Sequence, residues 1–95
     1  MAGYVVADLR VTDPAAFETY RRQVGATVEL YGGRFLVRGG NPLSLEGGWQ
    51  PERFVIIEFE TVDRARAWYD SPEYSSLLKL RQSASEGGVI IVDGV

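Results

Sequence analysis

The sequence predicts an α+β fold: a ferredoxin-like β-α-β-β-α-β unit in one domain spanning residues 1–95. Three observations carry this reading. Four short stretches read as strands, two stretches carry apolar stripes at helical spacing, and eight of the eleven glycines fall in four pairs where these patterns stop. The predicted sheet has strand order 4-1-3-2, is antiparallel throughout, and carries both helices on one face.

Residues 4–11 alternate, with Val5, Ala7, Leu9 and Val11 on one side and Tyr4, Val6, Asp8 and Arg10 on the other. Asp13 then offers an N-cap and Pro14 a first helical position. Phe17, Tyr20, Val24, Val28 and Tyr31 form one helical stripe, which Gly32 ends. Residues 34–38 read as a strand with Phe35 and Val37 facing the helices and Arg34, Leu36 and Arg38 facing away. A polar connection, residues 39–52, holds Asn41-Pro42, Gly47-Gly48 and an exposed-looking Trp49. Residues 54–59, FVIIEF, are almost wholly apolar and suit a central strand. Thr61 caps a second helix, Ser71-Pro72 restarts it, and Gly87-Gly88 stops it. Residues 89–93 form the last strand, with Ile90 and Val92 expected on the helix side.

Composition narrows the chemistry. Ten Lys and Arg against thirteen Asp and Glu give a net charge of −3, which argues against a nucleic-acid partner. No apolar run reaches the roughly 20 residues of a bilayer span, so no membrane partner is expected. The opening MAGYVVADLRV lacks a basic start and a small-residue cleavage site. It reads as a first strand rather than a signal peptide, and a cytoplasmic location is expected. The chain has no cysteine and no histidine, which removes the thiol nucleophile, iron–sulfur ligation, the commonest general base and the usual haem ligand. No metal and no cofactor is expected, so chemistry falls to Asp, Glu, Arg, Lys, Tyr or Ser, or to the substrate itself. The glycine pairs match neither GxGxxG nor a Walker pattern and read as turns.

The face away from the helices is too apolar for a solvated surface and too charged for a core. Val6, Leu36, Phe54, Ile56 and Ile91 give it a greasy centre, which a second copy of the chain laying its own sheet there would cover. With the β2–β3 connection centred near residue 46, Arg34 falls opposite Glu58 and Leu36 opposite Ile56. One end should then gather Tyr4, Arg34, Glu58 and Asp93, and the other Asp8, Arg10 and Arg38. In a catalytic reading Glu58 or Asp93 is the base and Tyr4 a hydrogen-bond donor. Arg34 or Arg38 would hold a small organic anion, with Asp8 and Trp49 as further ligand-binding candidates. In a structural reading the same charges fix dimer register. Trp68, Tyr69 and Tyr74 have the spacing of an inner helix face, and Arg53 and Arg81 read as surface or rim charges. Ser44 and Ser71 have no histidine to activate them.

VTDPAAFETY, YGGRFLVRGG, WQPERFVIIEF, AWYDSPEY, LRQSAS and GVIIVDGV together resemble the domain of unknown function 1330 family of the dimeric α/β-barrel superfamily, over nearly the whole chain. The resemblance implies a ferredoxin-like subunit that pairs sheet to sheet into a closed barrel. It supplies no reaction. The wider superfamily includes cofactor-independent monooxygenases, small isomerases and haem peroxidases; the missing histidine counts against the last. Two classes of function therefore stand: a cofactor-independent oxygenase or isomerase acting on a small organic anion, and a non-catalytic metabolite-binding or scaffold dimer.

Overall fold

A computed structural model describes residues 1–95. The elements are β1 (Gly3–Val11), α1 (Pro14–Leu30), β2 (Arg34–Gly39), β3 (Arg53–Phe59), α2 (Val62–Tyr69), α3 (Pro72–Ala84) and β4 (Ser85–Asp93). The antiparallel sheet has the order β2-β3-β1-β4, with the helices layered on one face, a ferredoxin-like arrangement as predicted. No helix is long and apolar enough to cross a membrane.

The helix starts follow their caps. Asp13 Oδ1 accepts from the Ala16 amide at 3.2 Å, with Pro14 leading α1. Thr61 Oγ1 accepts from the Arg64 amide at 3.0 Å and starts α2. At the break between α2 and α3, Ser71 Oγ donates to the Trp68 carbonyl at 2.7 Å and accepts from the Tyr74 amide at 3.1 Å. One hydroxyl thus closes one helix and opens the next.

The core lies between the sheet and the helices. Val5, Leu9, Ile57 and Phe59 meet Val24, Val28, Trp68 and Tyr74 there, each under a tenth exposed. Burying such a side chain contributes roughly 1.5–3 kcal/mol. Trp68 packs against Tyr74 with centroids 4.2 Å apart and the rings tilted by 34°, and its Nε1 donates to Thr27 Oγ1 at 3.0 Å, so its polar edge is satisfied inside the core.

Two strands differ from the sequence reading, and both differences move side chains between faces. In β2, Phe35 pairs with Ile57 but Val37, not Leu36, pairs with Ile56. Leu36 is the extra residue of a β-bulge, so two β2 residues oppose one of β3. Val37 consequently shares the open face with Ile56, and Arg38, opposite Val55, turns to the helix side. In β4 the ladder begins at Ser85, opposite Val11, and runs to Asp93, opposite Gly3. Val89 and Ile91 therefore lie opposite Ala7 and Val5 on the helix side, while Ile90 and Val92 take the open face. Gly87 and Gly88 sit inside the strand rather than ending a helix. Gly87 has φ +140°, and a Cβ there would fall 2.0 Å from the Asp8 carbonyl oxygen, so glycine is what lets β4 lie against β1.

Candidate functional site

On the open face, Arg34 and Tyr4 converge on Glu58 from the two neighbouring strands. Arg34 Nε donates to Glu58 Oε1 at 2.8 Å and the Tyr4 hydroxyl donates to Oε2 at 3.1 Å. Both carboxylate oxygens are engaged. The hydrogen bonds from Arg34 and then Tyr4 hold the Glu58 carboxyl below its ordinary range. Tyr4 moves the other way, raised chiefly by donating to Glu58. A lowered carboxylate is a weaker base, the opposite of what proton abstraction by Glu58 needs. Asp93 does not join this cluster: its register opposite Gly3 and Phe59's neighbour strand puts it on the other face. The sequence misplaced it because VIIV is apolar at every position and fits either parity.

At the other end of this face, Trp49 Nε1 donates to Asp8 Oδ2 at 2.8 Å, and the indole meets the Phe54 ring edge-on at 6.0 Å. The connection is thereby folded back over the sheet, with Leu43 and Leu45 more than four-fifths exposed. Asp8 and Trp49 do come together, as each other's partner. Arg10 pairs with Glu86 instead of joining them.

The opposite face holds a cleft that sequence reasoning missed. It lies between the sheet, α1 and α3, with about 500 Å³ of space continuous with solvent, of which about 40 Å³ leaves room for water. Its lining is largely apolar and aromatic, with Phe17, Tyr20, Phe35, Trp68, Tyr69 and Tyr74 contributing rings. It contains four arginines, Arg21, Arg38, Arg53 and Arg81, and no carboxylate.

Ion pairing separates these cations. Five of the nine arginines, Arg10, Arg21, Arg22, Arg34 and Arg66, are paired with a carboxylate; Arg38, Arg53, Arg64 and Arg81 are not. Three of those four line the cleft. Arg38 Nη2 donates to the Arg21 carbonyl at 2.6 Å and its guanidinium lies 4.2 Å from the Phe35 centroid. Arg53 lies 5.0 Å above the Phe17 ring. Partial burial, and then repulsion from Arg21, lower the pKa of both; Arg53 adds to the effect on Arg38. Arg81 is 7% exposed, and its Nε reaches the Tyr74 hydroxyl at 3.4 Å. That hydroxyl is 2.8 Å from the Tyr20 hydroxyl. Burial above all, with Tyr74 beside it, pushes the Tyr20 phenol far up, so it remains a neutral hydroxyl at physiological pH.

Arg53 and Arg81 are therefore cleft residues, not surface charges. Arg81 was within reach of the sequence, since it stands seven residues after Tyr74 on the buried stripe of α3. Arg38 was not, because the bulge that turns it leaves no mark in the alternation. No group of three or more His, Cys, Asp or Glu side chains converges as a metal site would require.

No curated protein is significantly similar in sequence to this chain. Among solved structures, RPA0582 from Rhodopseudomonas palustris, a protein of unknown function, superposes with a TM-score of 0.81 at 20% identity, covering 99% of this chain and 82% of that one. SnoaB from Streptomyces nogalater, a cofactor-independent oxygenase, gives 0.68 at 17% identity, covering 99% and 93%. A dimeric protein of unknown function and ferredoxin-like fold from Bacteroides fragilis gives 0.54 at 13%, covering 98% and 95%. At these identities the likeness is one of fold. The sequence profile described as a domain of unknown function, DUF1330, matches residues 2–95, and the chain belongs to that family.

Proposed function

We propose that this chain is a homodimer, paired through its open sheet face, in which each subunit binds a small organic anion in the helix-side cleft. We further propose that it transforms that anion without a cofactor, as an oxygenase or isomerase. The observation that carries the reading is the convergence of three arginines lacking carboxylate partners on an aromatic cleft that itself holds no acid. Cations left unneutralised in a partly dry site favour a ligand that brings the negative charge.

The chemistry follows from the same inventory. With no carboxylate in the lining, ionisation falls to the substrate: an enol or phenol placed beside Arg81 and the Tyr20–Tyr74 hydroxyls has its pKa lowered by the cation, loses its proton to the solvent that the cleft opens to, and has its oxyanion stabilised by the hydroxyls. An electron-rich enolate or phenolate is the common starting point for reaction with dioxygen and for moving a double bond by reprotonation. The fold shared with a cofactor-independent oxygenase supports the first route by analogy.

The dimer is supported by the apolar band on the open face. Leu36, Ile90 and Val92 are each about half exposed, and Val6 and Ile56 lie between them. The Tyr4–Glu58–Arg34 group would lie within the covered face and set its register. A non-catalytic binding dimer is the second reading, favoured by the narrowness of the cleft and its lack of a base.

A panel of phenolic and enolic acids, titrated by amide-detected NMR and then followed for oxygen uptake and solvent-deuterium incorporation, separates these outcomes. Uptake of oxygen supports the oxygenase, and deuterium exchange alone the isomerase. Binding without either supports the second reading. Ligand shifts confined to the open face would remove the cleft from consideration.

A further inference from the structure

We infer that the ligand is a carboxylic acid whose carboxylate is gripped between Arg38 and Arg53 at the β2–β3 side of the cleft. The inference rests on the cleft being the binding site and adds the ligand's charged group and its anchoring residues.

Register places these two side chains together. Arg38 lies opposite Val55, and Arg53 is two residues before Val55, so both project to the helix side as diagonal neighbours on adjacent strands. Gly39, which follows Arg38, has φ +94°, and the Arg53 Nη1 atom lies 3.9 Å from where a Cβ would stand on it. That is ordinary contact distance, so the Arg53 guanidinium reaches the end of β2 beside Arg38, and it is the positive φ that favours glycine at residue 39.

Each guanidinium lies over an aromatic ring, Phe35 under Arg38 and Phe17 under Arg53, which attracts the cation and helps to hold it in place. One hydrogen bond to the Arg21 carbonyl holds Arg38, and the remaining N–H groups of both forks are open to a ligand. The charged groups facing this spot from α1 are Arg21 and Glu18, with Tyr20 beside them. Glu18 offsets the pair's charge only in part: both its oxygens are bonded to Arg21 at 2.8 and 2.9 Å, and burial with repulsion from Arg21 outweighs its attraction at Arg38 and Arg53. Two ring-backed forks with no anion between them match the two oxygens of a carboxylate.

The other end of the cleft sets what the acid must carry. Tyr20, Tyr74 and Arg81 offer two hydroxyls and a third cation, suited to an enol or phenol oxygen. The narrow space between favours a flat body. The ligand class is thus a planar hydroxy- or enol-bearing carboxylic acid.

The test uses two acid–amide pairs as probes: 4-hydroxybenzoate with 4-hydroxybenzamide, and 6-hydroxy-2-naphthoate with its amide. Amide-detected NMR of the wild type and of Arg38→Met, Arg53→Met and the control Arg66→Met gives affinity and location together. Each acid should perturb cleft residues and bind at least about tenfold more tightly than its amide, the ratio expected for a charge-assisted fork. Either cleft substitution should collapse that ratio, and Arg66→Met should preserve it. Arg38→Lys and Arg53→Lys keep the charge without the fork and should lose most of the preference, a check that holds if a methionine variant folds poorly. Acids and amides binding the cleft equally would overturn the carboxylate grip while leaving the cleft as the site. No cleft perturbation by any of the four probes would overturn both.

Discussion

Arg81→Met should make the protein more stable and less able to bind its ligand. Arg81 is 7% exposed, and its only side-chain hydrogen bond is the 3.4 Å contact to the Tyr74 hydroxyl. That is long beside the roughly 2.9–3.0 Å typical of N–H···O, so its loss costs at the low end of about 0.5–1.5 kcal/mol. The nearby Ser85 hydroxyl bonds to the Arg81 carbonyl at 2.7 Å and is untouched by a side-chain change. Against that small loss stands the removal of a buried cation with no carboxylate partner, whose desolvation costs several kcal/mol when complete and less here because the cleft opens to solvent. Methionine keeps the aliphatic stem packed. A net gain of about 1 kcal/mol, or a rise in Tm of roughly 4–8 °C for a domain of this size, is the expected outcome. Circular-dichroism melts at pH 7 measure it, and Tm shifts with 4-hydroxybenzoate measure the lost binding. A fall in Tm of several degrees would refute the reasoning, because it would mean that the cation has an attractive partner, in the dimer or in bound solvent. Stability given up for binding is the expected signature of a functional buried charge.

Ile56→Lys should convert a dimer to a monomer by light scattering, with a lower Tm, because it puts an unpaired charge in the apolar centre of the open face; a single monomer mass for the wild type would remove the dimer altogether. A double-mutant cycle on Arg34→Met and Glu58→Gln should show strong coupling in the dimer and only that of an exposed pair in the Ile56→Lys background, since the Arg34 side chain is 73% exposed in the isolated subunit. Equal coupling in both backgrounds would mean that this pair lies outside the interface. Acid should destabilise through depressed carboxyls: Glu18, lowered from an ordinary 4.5 to about 2 first by its hydrogen bond from Arg21, and Glu58, lowered first by Arg34. Their folded-state values lie below their unfolded ones, so the stability they contribute is complete above about pH 4.5 and is lost as pH falls through the folded values. Melts from pH 7 to 2 should therefore flatten at low pH in Glu18→Gln relative to wild type; identical curves would count against the Arg21 pairing.

Much of this fold was legible because its signals were local and redundant. Asp13-Pro14, Thr61 and Ser71-Pro72 all cap helices as predicted, and the alternation of β1 fixed its two faces. The pairing of Arg34 and Tyr4 with Glu58 was also legible, since it lies before the irregularity in β2. Beyond that point parity failed. A bulge adds one residue without changing residue types, and the apolar run in β4 satisfies either face. Arg81 failed differently, because a buried cation is rare enough that charge outweighed its place on the inner stripe.

Parity then decides which face does what. With an unbroken β2, Arg38 would stand on the open face with Arg34, leaving a charged surface poorly suited to burial against a second copy. The extra residue at Leu36 sends Arg38 to the helix side, where Arg53 already projects, and puts Val37 beside Ile56 in its place. The open face exchanges a cation for a valine and keeps only Arg34, which is neutralised by Glu58. The helix side gains the second guanidinium of a pair. One inserted residue thus adds apolar surface where a partner would pack and positive charge where a ligand would bind. Deleting Leu36 removes the extra residue yet leaves Val37 opposite Ile56 and Arg38 opposite Val55, so the shortened chain should still dimerise and still distinguish 4-hydroxybenzoate from its amide. Loss of either property would refute this parity argument, because it would show that the face depends on Leu36 itself and not on where Val37 and Arg38 point.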